Sequence, residues 1–295
     1  MQTALDCYPC FLRQALSAAR RAHADPAVQH RVLVATMARL SRSDSATTPI
    51  ELAADIHRLV REHTGHPDPY LAAKEDATRQ ALALYPRLEA LITNAADPLQ
   101  AAVRVAIAGN ILDFGVAEHY DLEATLERVM QQPFAIDGIE PLRQALQQAK
   151  GVLYLADNTG ETVFDRVLIE TLGIPVTYVV KGAPVLNDAT RTDALAAAID
   201  QVAAIVDNGS DAPGTLLEAC SEDFRRRFAA ADLILAKGQG NYESLSQVQA
   251  PVFFLLQAKC SVIADDLGVP VGSIVCRPPD AGSLTDARPV SGEAS

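Results

Sequence analysis

Over the first 150 residues, apolar side chains recur three and four positions apart, and the pattern breaks at Pro26, Pro49, Gly65 to Pro69, Pro98, Pro133 and Gly138. That period puts the apolar residues on one face of a helix, so it predicts helices throughout and requires no strand. From residue 152 the texture changes. Short β-branched runs at 152–156, 175–180, 202–206, 232–236, 252–256 and 271–275 alternate with helical stretches, which is the pattern of βαβ units. Helical connections make a parallel sheet with right-handed crossovers, and the C-terminal ends of successive strands then lie along one edge, where ligands of such sheets bind. The expected architecture is an α/β fold with a mainly parallel sheet and flanking helices over 151–277, preceded by an all-helical part over 1–150. The tail, 278–295, is rich in Pro, Gly, Ser and Asp and is expected to be disordered.

The residues that follow four of the strands read DNTGE (157–161), KGAPVLND (181–188), DNGSDAPG (207–214) and KGQGNYE (237–243). Each has a plain local explanation. Asn158 with Glu161 three positions on resembles a capping box, Asp188 suits the N-cap of the next helix, and Asp211 with Pro213 suits the opening of another. Together, a parallel sheet would bring Asp157, Asn158, Asp188, Asp207 and Asp211 near one another, where like charges repel unless a cation sits among them. The candidate donors are oxygens and no histidine lies in these loops, so the pattern favours Mg²⁺ or Mn²⁺ over a zinc site of His and Cys. Lys181 and Lys237 end their strands and are each followed by glycine. In KGQGN the backbone amides of Gly238, Gly240 and Asn241 open a helix, so that lysine, amides and helix start form a cradle for an anion such as phosphate, the alternative being an ordinary glycine turn. Neither G-x-G-x-x-G nor G-x-x-x-x-G-K-[ST] occurs, which removes the best support for dinucleotide and P-loop readings.

Composition narrows the partners. The chain has 295 residues, 49% of them hydrophobic, enough for a full core, and a formal net charge of -12 that repels nucleic acid. No basic segment leads into a long apolar stretch and no run approaches a membrane span, so a cytoplasmic protein with no membrane partner is expected. Five cysteines, an odd number, do not make a disulfide framework. Cys7 and Cys10 form a C-x-x-C without the second pair a structural metal would want, and without the βαβ setting of redox pairs. Cys220, Cys260 and Cys276 are expected to be small buried residues, and the six histidines solvated surface groups. In the helical part, Asn110 and Asp113 in GNILDFG extend the apolar face of a helix, and buried polar groups need partners, so this segment is expected to reach the site.

CYPC, GNILDFG, DNTGETVFD, VVKGAPVLNDAT, DNGSDAPGT, ADLILAKGQGNYESL and FFLLQAKCSVIADDLGVPVG stand in the same order as in the family known as domain of unknown function 89. The chain resembles that family over about residues 5–276, and is most similar to its prokaryotic branch with paired N-terminal cysteines. Its members are described as metal-dependent damage-control phosphatases or as acidic residue methyltransferase-like proteins. The resemblance implies a helical part packed on a Rossmann-like α/β part, and a divalent cation (Mg²⁺, Mn²⁺, Co²⁺ or Ni²⁺) held by Asp157, Asn158 and Asp188. It also implies a substrate phosphate gripped by Lys237, Gly238 and Gly240. The Arg-Thr-x-Lys signature of the eukaryotic branch is absent, so that branch's sugar-phosphate preference does not transfer simply.

These readings predict a metal-dependent hydrolase for a small phosphorylated metabolite. Lys237 would offset charge on the phosphoryl oxygens while Glu161 or Asp211 positions or deprotonates the attacking water. Lys181, Asn110, Asp113, Gly238, Gly240 and Asn241 would contact the substrate. The alternatives are a non-catalytic regulator that binds a phosphometabolite and an S-adenosylmethionine-dependent carboxyl methyltransferase, the latter lacking a glycine-rich nucleotide loop after the first strand.

Overall fold

The computed structural model describes residues 1–44, 46–111 and 122–280; the side chains of Asn110 and Ile111 and of residues 122–125 are outside this description. Its helices are α1 (Cys7–Arg21), α2 (Pro26–Leu40), α3 (Pro49–Thr64), α4 (Leu71–Thr93), α5 (Pro98–Ile111), α6 (Leu122–Gln131), α7 (Ile139–Gln148), α8 (Thr162–Leu172), α9 (Arg191–Ala196), α10 (Glu222–Ala230), α11 (Gly238–Leu245) and α12 (Ser261–Leu267). The strands are β1 (Phe134–Asp137), β2 (Val152–Leu155), β3 (Val176–Val180), β4 (Ala204–Asp207), β5 (Ile234–Lys237), β6 (Val252–Gln257) and β7 (Ile274–Arg277).

Local chemistry sets the helix ends. Thr48 caps α3 by accepting from the Glu51 amide while the Glu51 carboxylate accepts from the Thr48 amide, and Pro49 occupies the first turn, where no amide hydrogen is needed. Asp25 with Pro26 starts α2 in the same way.

One seven-stranded sheet has the order β1-β7-β6-β5-β2-β3-β4. Every neighbouring pair is parallel except β6 and β7, which run antiparallel. The βαβ reading therefore holds from β2 to β6 and fails at β7. The strand β1 is a second departure, because no strand was expected before residue 152. Phe134 pairs with Ile274 and Asp137 with Cys276, so a segment of the helical half supplies the sheet's edge.

Side chains alternate across the central strands and feed two cores. Tyr154, Tyr178, Leu235 and Phe253 face α4, α5, α7 and α8, whereas Leu155, Val179, Ala236 and Phe254 face α10, α11 and α12. Helices α1 to α3 bury a third cluster of their own around Phe11, Val32, Leu52 and Ile56. They are tied to the sheet edge by α3, whose Arg58 and Arg61 both bond Asp211 while Arg61 also donates to the Pro184 carbonyl. Residues 281–295 of the tail lie outside the described residues.

Candidate active site

The strand order reverses between β2 and β5: the chain passes from β2 outward to β3 and β4, then returns to lay β5 on the other side of β2. Loops leaving two such strands diverge and open a crevice at their C-terminal ends. Asp157 and Asn158 leave β2 there, and Lys237 and Gly238 end β5. The loop after β3 folds back onto them. The Thr159 amide donates to the Asn187 carbonyl and the Ala189 amide to the Asp157 carbonyl, both at 2.8 Å, which sets Asn158 against Asp188 in an isolated antiparallel bridge.

A cavity of about 640 Å³ opens on this point. Asp157, Asn158 and Asp188 line it, with Leu186 from the β3 loop, Pro213 and Gly214 from the β4 loop, and Gln239, Gly240 and Glu243 from the β5 loop. All four polar loops thus converge, as the parallel sheet requires. Three further contributors escaped the sequence reading, one of them α3 with Pro49, Ile50 and Ala53. Helix α1 supplies Cys7, Cys10 and Arg13 to the wall, and the residues after β6 supply Lys259 and Cys260. A simple signal would have found Lys259 and Cys260: they follow a strand of the parallel set as the other loops do.

Burial disfavours the charged form of both carboxyls. Burial, then the charges of Glu161 and Asp188, pushes Asp157 well above the usual carboxylate range, with Lys259 and Lys181 pulling it back. Burial raises Asp188 to about 6 against the opposing pull of Lys181. The Oδ2 atom of Asp188 is buried and accepts no hydrogen bond, its nearest cation being the Lys181 ammonium at 3.5 Å, which also donates to the Gly214 carbonyl. Asn158 directs its amide nitrogen at Asp157 Oδ2, 3.1 Å away, and at Glu161 Oε1, 2.6 Å away. With both amide hydrogens engaged, Oδ1 is the atom Asn158 has left for the cavity it lines. Two acids in a shared, dehydrated setting, an acceptor without a donor and a carboxamide oxygen form the hard-oxygen donor set that a divalent cation such as Mg²⁺ or Mn²⁺ takes. Among the described residues no three His, Cys, Asp or Glu side chains stand together in a metal-holding group.

Several expected residues do other work. Lys237 was expected to grip phosphate, but its ammonium is 0% exposed and donates to Glu161 Oε2 at 3.0 Å and Asp165 Oδ1 at 2.6 Å. Burial disfavours that charge, yet the carboxylates of Asp165 and Glu161 outweigh it and the ammonium pKa is raised. Glu161 is buried behind Asn158, away from the cavity wall, so it is not placed to touch a water in the cavity; nor does Asn158 cap through its side chain, because its amide faces Glu161. Asp211 is gripped by Arg58 and Arg61, whose hydrogen bonds and charges lower its pKa, a poor setting for a base. Asn241 is buried and staples two strand ends, donating to the Ala156 and Lys237 carbonyls and accepting from Thr215. Lys181 is buried behind Asp188. Gly240 does line the cavity, and Gly238 packs against the Asp157 carboxylate. Asn110, as to its side chain, and Asp113 lie outside the described residues.

Smaller expectations change as well. Thr190 rather than Asp188 caps α9, with Asp193 completing the capping box, and no helix opens at Pro213. Asp207 is exposed and bonds the Gly209 amide. Cys220 and Cys276 are buried as expected, but Cys260 is exposed, and His57 is buried rather than solvated.

A mainly parallel α/β sheet whose crevice gathers two buried acids and a carboxamide, beneath a helical cluster that walls the cavity, defines a concave small-molecule site at a topological switch point. The chain belongs to the damage-control phosphatase ARMT1-like domain family, whose profile matches residues 3–275. It is 36% identical over 284 residues to an uncharacterized protein of Methanocaldococcus jannaschii, covering 92% of this chain and 93% of that one. A protein of Archaeoglobus fulgidus named damage-control phosphatase is 38% identical over 235 residues, 77% of this chain and 81% of its own. The damage-control phosphatase PH1575 of Pyrococcus horikoshii is 30% identical over 286 residues, 94% and 98% of the two chains. The crystal structure of that last protein, described as a DUF89 family protein, superposes with a TM-score of 0.88 at 29% sequence identity, covering 95% of this chain and 99% of that one.

Proposed function

We propose that this chain is a hydrolase that removes the phosphoryl group of a small phosphorylated metabolite, with a divalent cation held by Asp157, Asn158 and Asp188. The observation that carries the reading is the meeting of those three side chains, two of them buried acids, on the floor of one cavity at the point where the strand order reverses. Relatives that bear the name damage-control phosphatase support it. A cation held by Asp157, Asn158 and Asp188 would supply the charge that polarises a phosphoryl oxygen and acidifies the attacking water.

The chain's own residues supply the rest. Exposed Lys259 lines the same cavity and its charge pulls the Asp157 carboxyl down, which supports it as the cation that offsets charge on the phosphoryl oxygens. It takes the part first expected of Lys237. Half-buried Glu243 lines the same cavity with its carboxyl pushed up to about 7 by burial, a value suited to accepting a proton from water near neutrality. Leu186, Pro213, Pro49 and Ile50 give the wall an apolar share that excludes water around the ester.

The test is phosphate release from a panel of phosphomonoesters by chelator-stripped protein refilled singly with Mg²⁺, Mn²⁺, Co²⁺ or Ni²⁺, with Asp157→Ala as control. Turnover restored by an ion and lost in the variant is expected. Esters that bind without turnover under every ion would instead point to a non-catalytic regulator.

A further inference from the structure

The buried charges behind the cavity form one connected chain. Tyr154 and Tyr178 each donate a hydroxyl to Asp165, to Oδ1 and Oδ2 respectively, at 2.7 Å. Lys237 joins Asp165 to Glu161, and Glu161 Oε1 accepts from the Asn158 amide at 2.6 Å. Every member from the tyrosines to Glu161 is buried, and none of them lines the cavity. These side chains therefore lie behind the cavity wall, out of contact with solvent.

Its effect is on which way round the Asn158 carboxamide sits. A carboxamide has one donor end and one acceptor end, and its neighbours decide which end faces the ligand. Glu161 offers an acceptor oxygen to Asn158 while its other oxygen accepts from the Lys237 ammonium, and Lys237 is held by Asp165, which the two tyrosines hold in turn. Facing an acceptor, Asn158 must turn its nitrogen inward and its oxygen outward. We propose that Glu161, Lys237 and Asp165 are positioning residues that fix the Asn158 carboxamide with Oδ1 toward the cation, so that the buried ion pair sets the affinity of the site for divalent metal. This rests on the cation assigned to Asp157, Asn158 and Asp188 above.

The isosteric change Glu161→Gln tests it sharply. The new amide must turn its oxygen to the Lys237 ammonium, so its NH₂ faces Asn158. Two donors then oppose each other at the shorter of the two amide contacts, only the 3.1 Å bond to Asp157 Oδ2 still holds the nitrogen inward, and Asn158 is freed to rotate and present nitrogen to the cavity. Adding Asn158→Asp relieves the conflict, because a carboxylate accepts from that NH₂ and still offers an oxygen outward.

Mn²⁺ binding to the full chain is measured by titration calorimetry in the wild type, Glu161→Gln, Asn158→Asp, the double variant and Asp157→Ala, with melting temperature recorded for each. Glu161→Gln is expected to weaken Mn²⁺ about 10- to 100-fold, the usual cost of losing a partner that orients a metal ligand. Asn158→Asp is expected to improve Mn²⁺ binding at least about tenfold more in the Glu161→Gln background than in the wild type, a coupling that general loss of packing would not produce. Unchanged Mn²⁺ affinity in Glu161→Gln, or equal effects of Asn158→Asp in both backgrounds, would overturn the proposal while leaving the cation in place. Wild type and Asp157→Ala both failing to take up Mn²⁺ would overturn the cation reading itself. Should Glu161→Gln not fold, the wild type decides alone: both Asn158 side-chain amide protons are expected to exchange slowly with solvent, and fast exchange refutes the inward orientation.

Discussion

Gly238 lies so close to Asp157 that a Cβ atom in its place would stand 1.8 Å from Oδ2 of the carboxylate. Its φ of +77° adds a second requirement, since L-residues with side chains rarely adopt that conformation. The first glycine of KGQGN thus serves by having no side chain where an acid must fit. Gly238→Ala is expected to displace Asp157, to lower metal-dependent turnover by about 100-fold and to destabilise the fold by about 1–3 kcal/mol. Phosphate-release kinetics and a denaturant titration check the two effects separately.

Lys259 is the cavity lysine that remains once Lys181 and Lys237 are seen to be buried in ion pairs. Lys259→Ala is expected to lower kcat/KM for phosphomonoesters by about 100-fold, the scale of losing one group that offsets charge in the transition state. Mn²⁺ affinity should hold or rise, because removing a nearby positive charge favours a cation. Weaker Mn²⁺ binding in this variant would contradict the placement.

Asp211 separates a catalytic from a structural role. Joined to Arg58 and Arg61 of α3, it fastens the α1–α3 cluster to the loop after β4. Asp211→Asn is expected to leave turnover within about threefold of wild type and to cost about 1 kcal/mol of stability, since the pairs are partly exposed and screened. A thousandfold loss of turnover would restore it as a candidate base.

His57 gives the fold a pH dependence distinct from that of the site. Burial, with a smaller push from the Arg61 charge, lowers its pKa from 6.5 to about 4. A base whose pKa is depressed by folding binds protons more readily when unfolded, so its contribution is fully present above pH 6.5 and is lost as pH falls toward 4. The full effect amounts to about 3 kcal/mol. Urea midpoints measured from pH 7.5 to 4 should fall less steeply in His57→Gln than in the wild type.

Much of this arrangement is visible in the residues themselves. Runs such as VLYL and VFFLLQ announce strands buried on both faces, and the polar segments just past β2, β3, β4 and β5 do meet at one cavity. The same logic applied to β6 would have reached Lys259. Strand parity also held an unused clue, because Leu235 faces α8 and Lys237, two positions on, must point the same way, toward Asp165 rather than toward the cavity. By contrast, FAID is too short to outweigh the helical pattern around it, and nothing local in it announces a partner near residue 274. The approach of α1 to the cavity depends on how α1–α3 dock, which is set by contacts between distant segments such as Arg58 with Asp211.

The pairing of Phe134 with Ile274 also sets a timetable for synthesis. A ribosome adding about 5–20 residues each second would leave the 134–137 segment without its partner for on the order of 10 s. Through that interval Phe134 and Ile136 have no neighbouring strand to dock on. The last rows of the sheet therefore close only after the segment around residue 274 has emerged, and a nascent chain halted shortly before it would keep that edge open, a natural place for a chaperone to hold it.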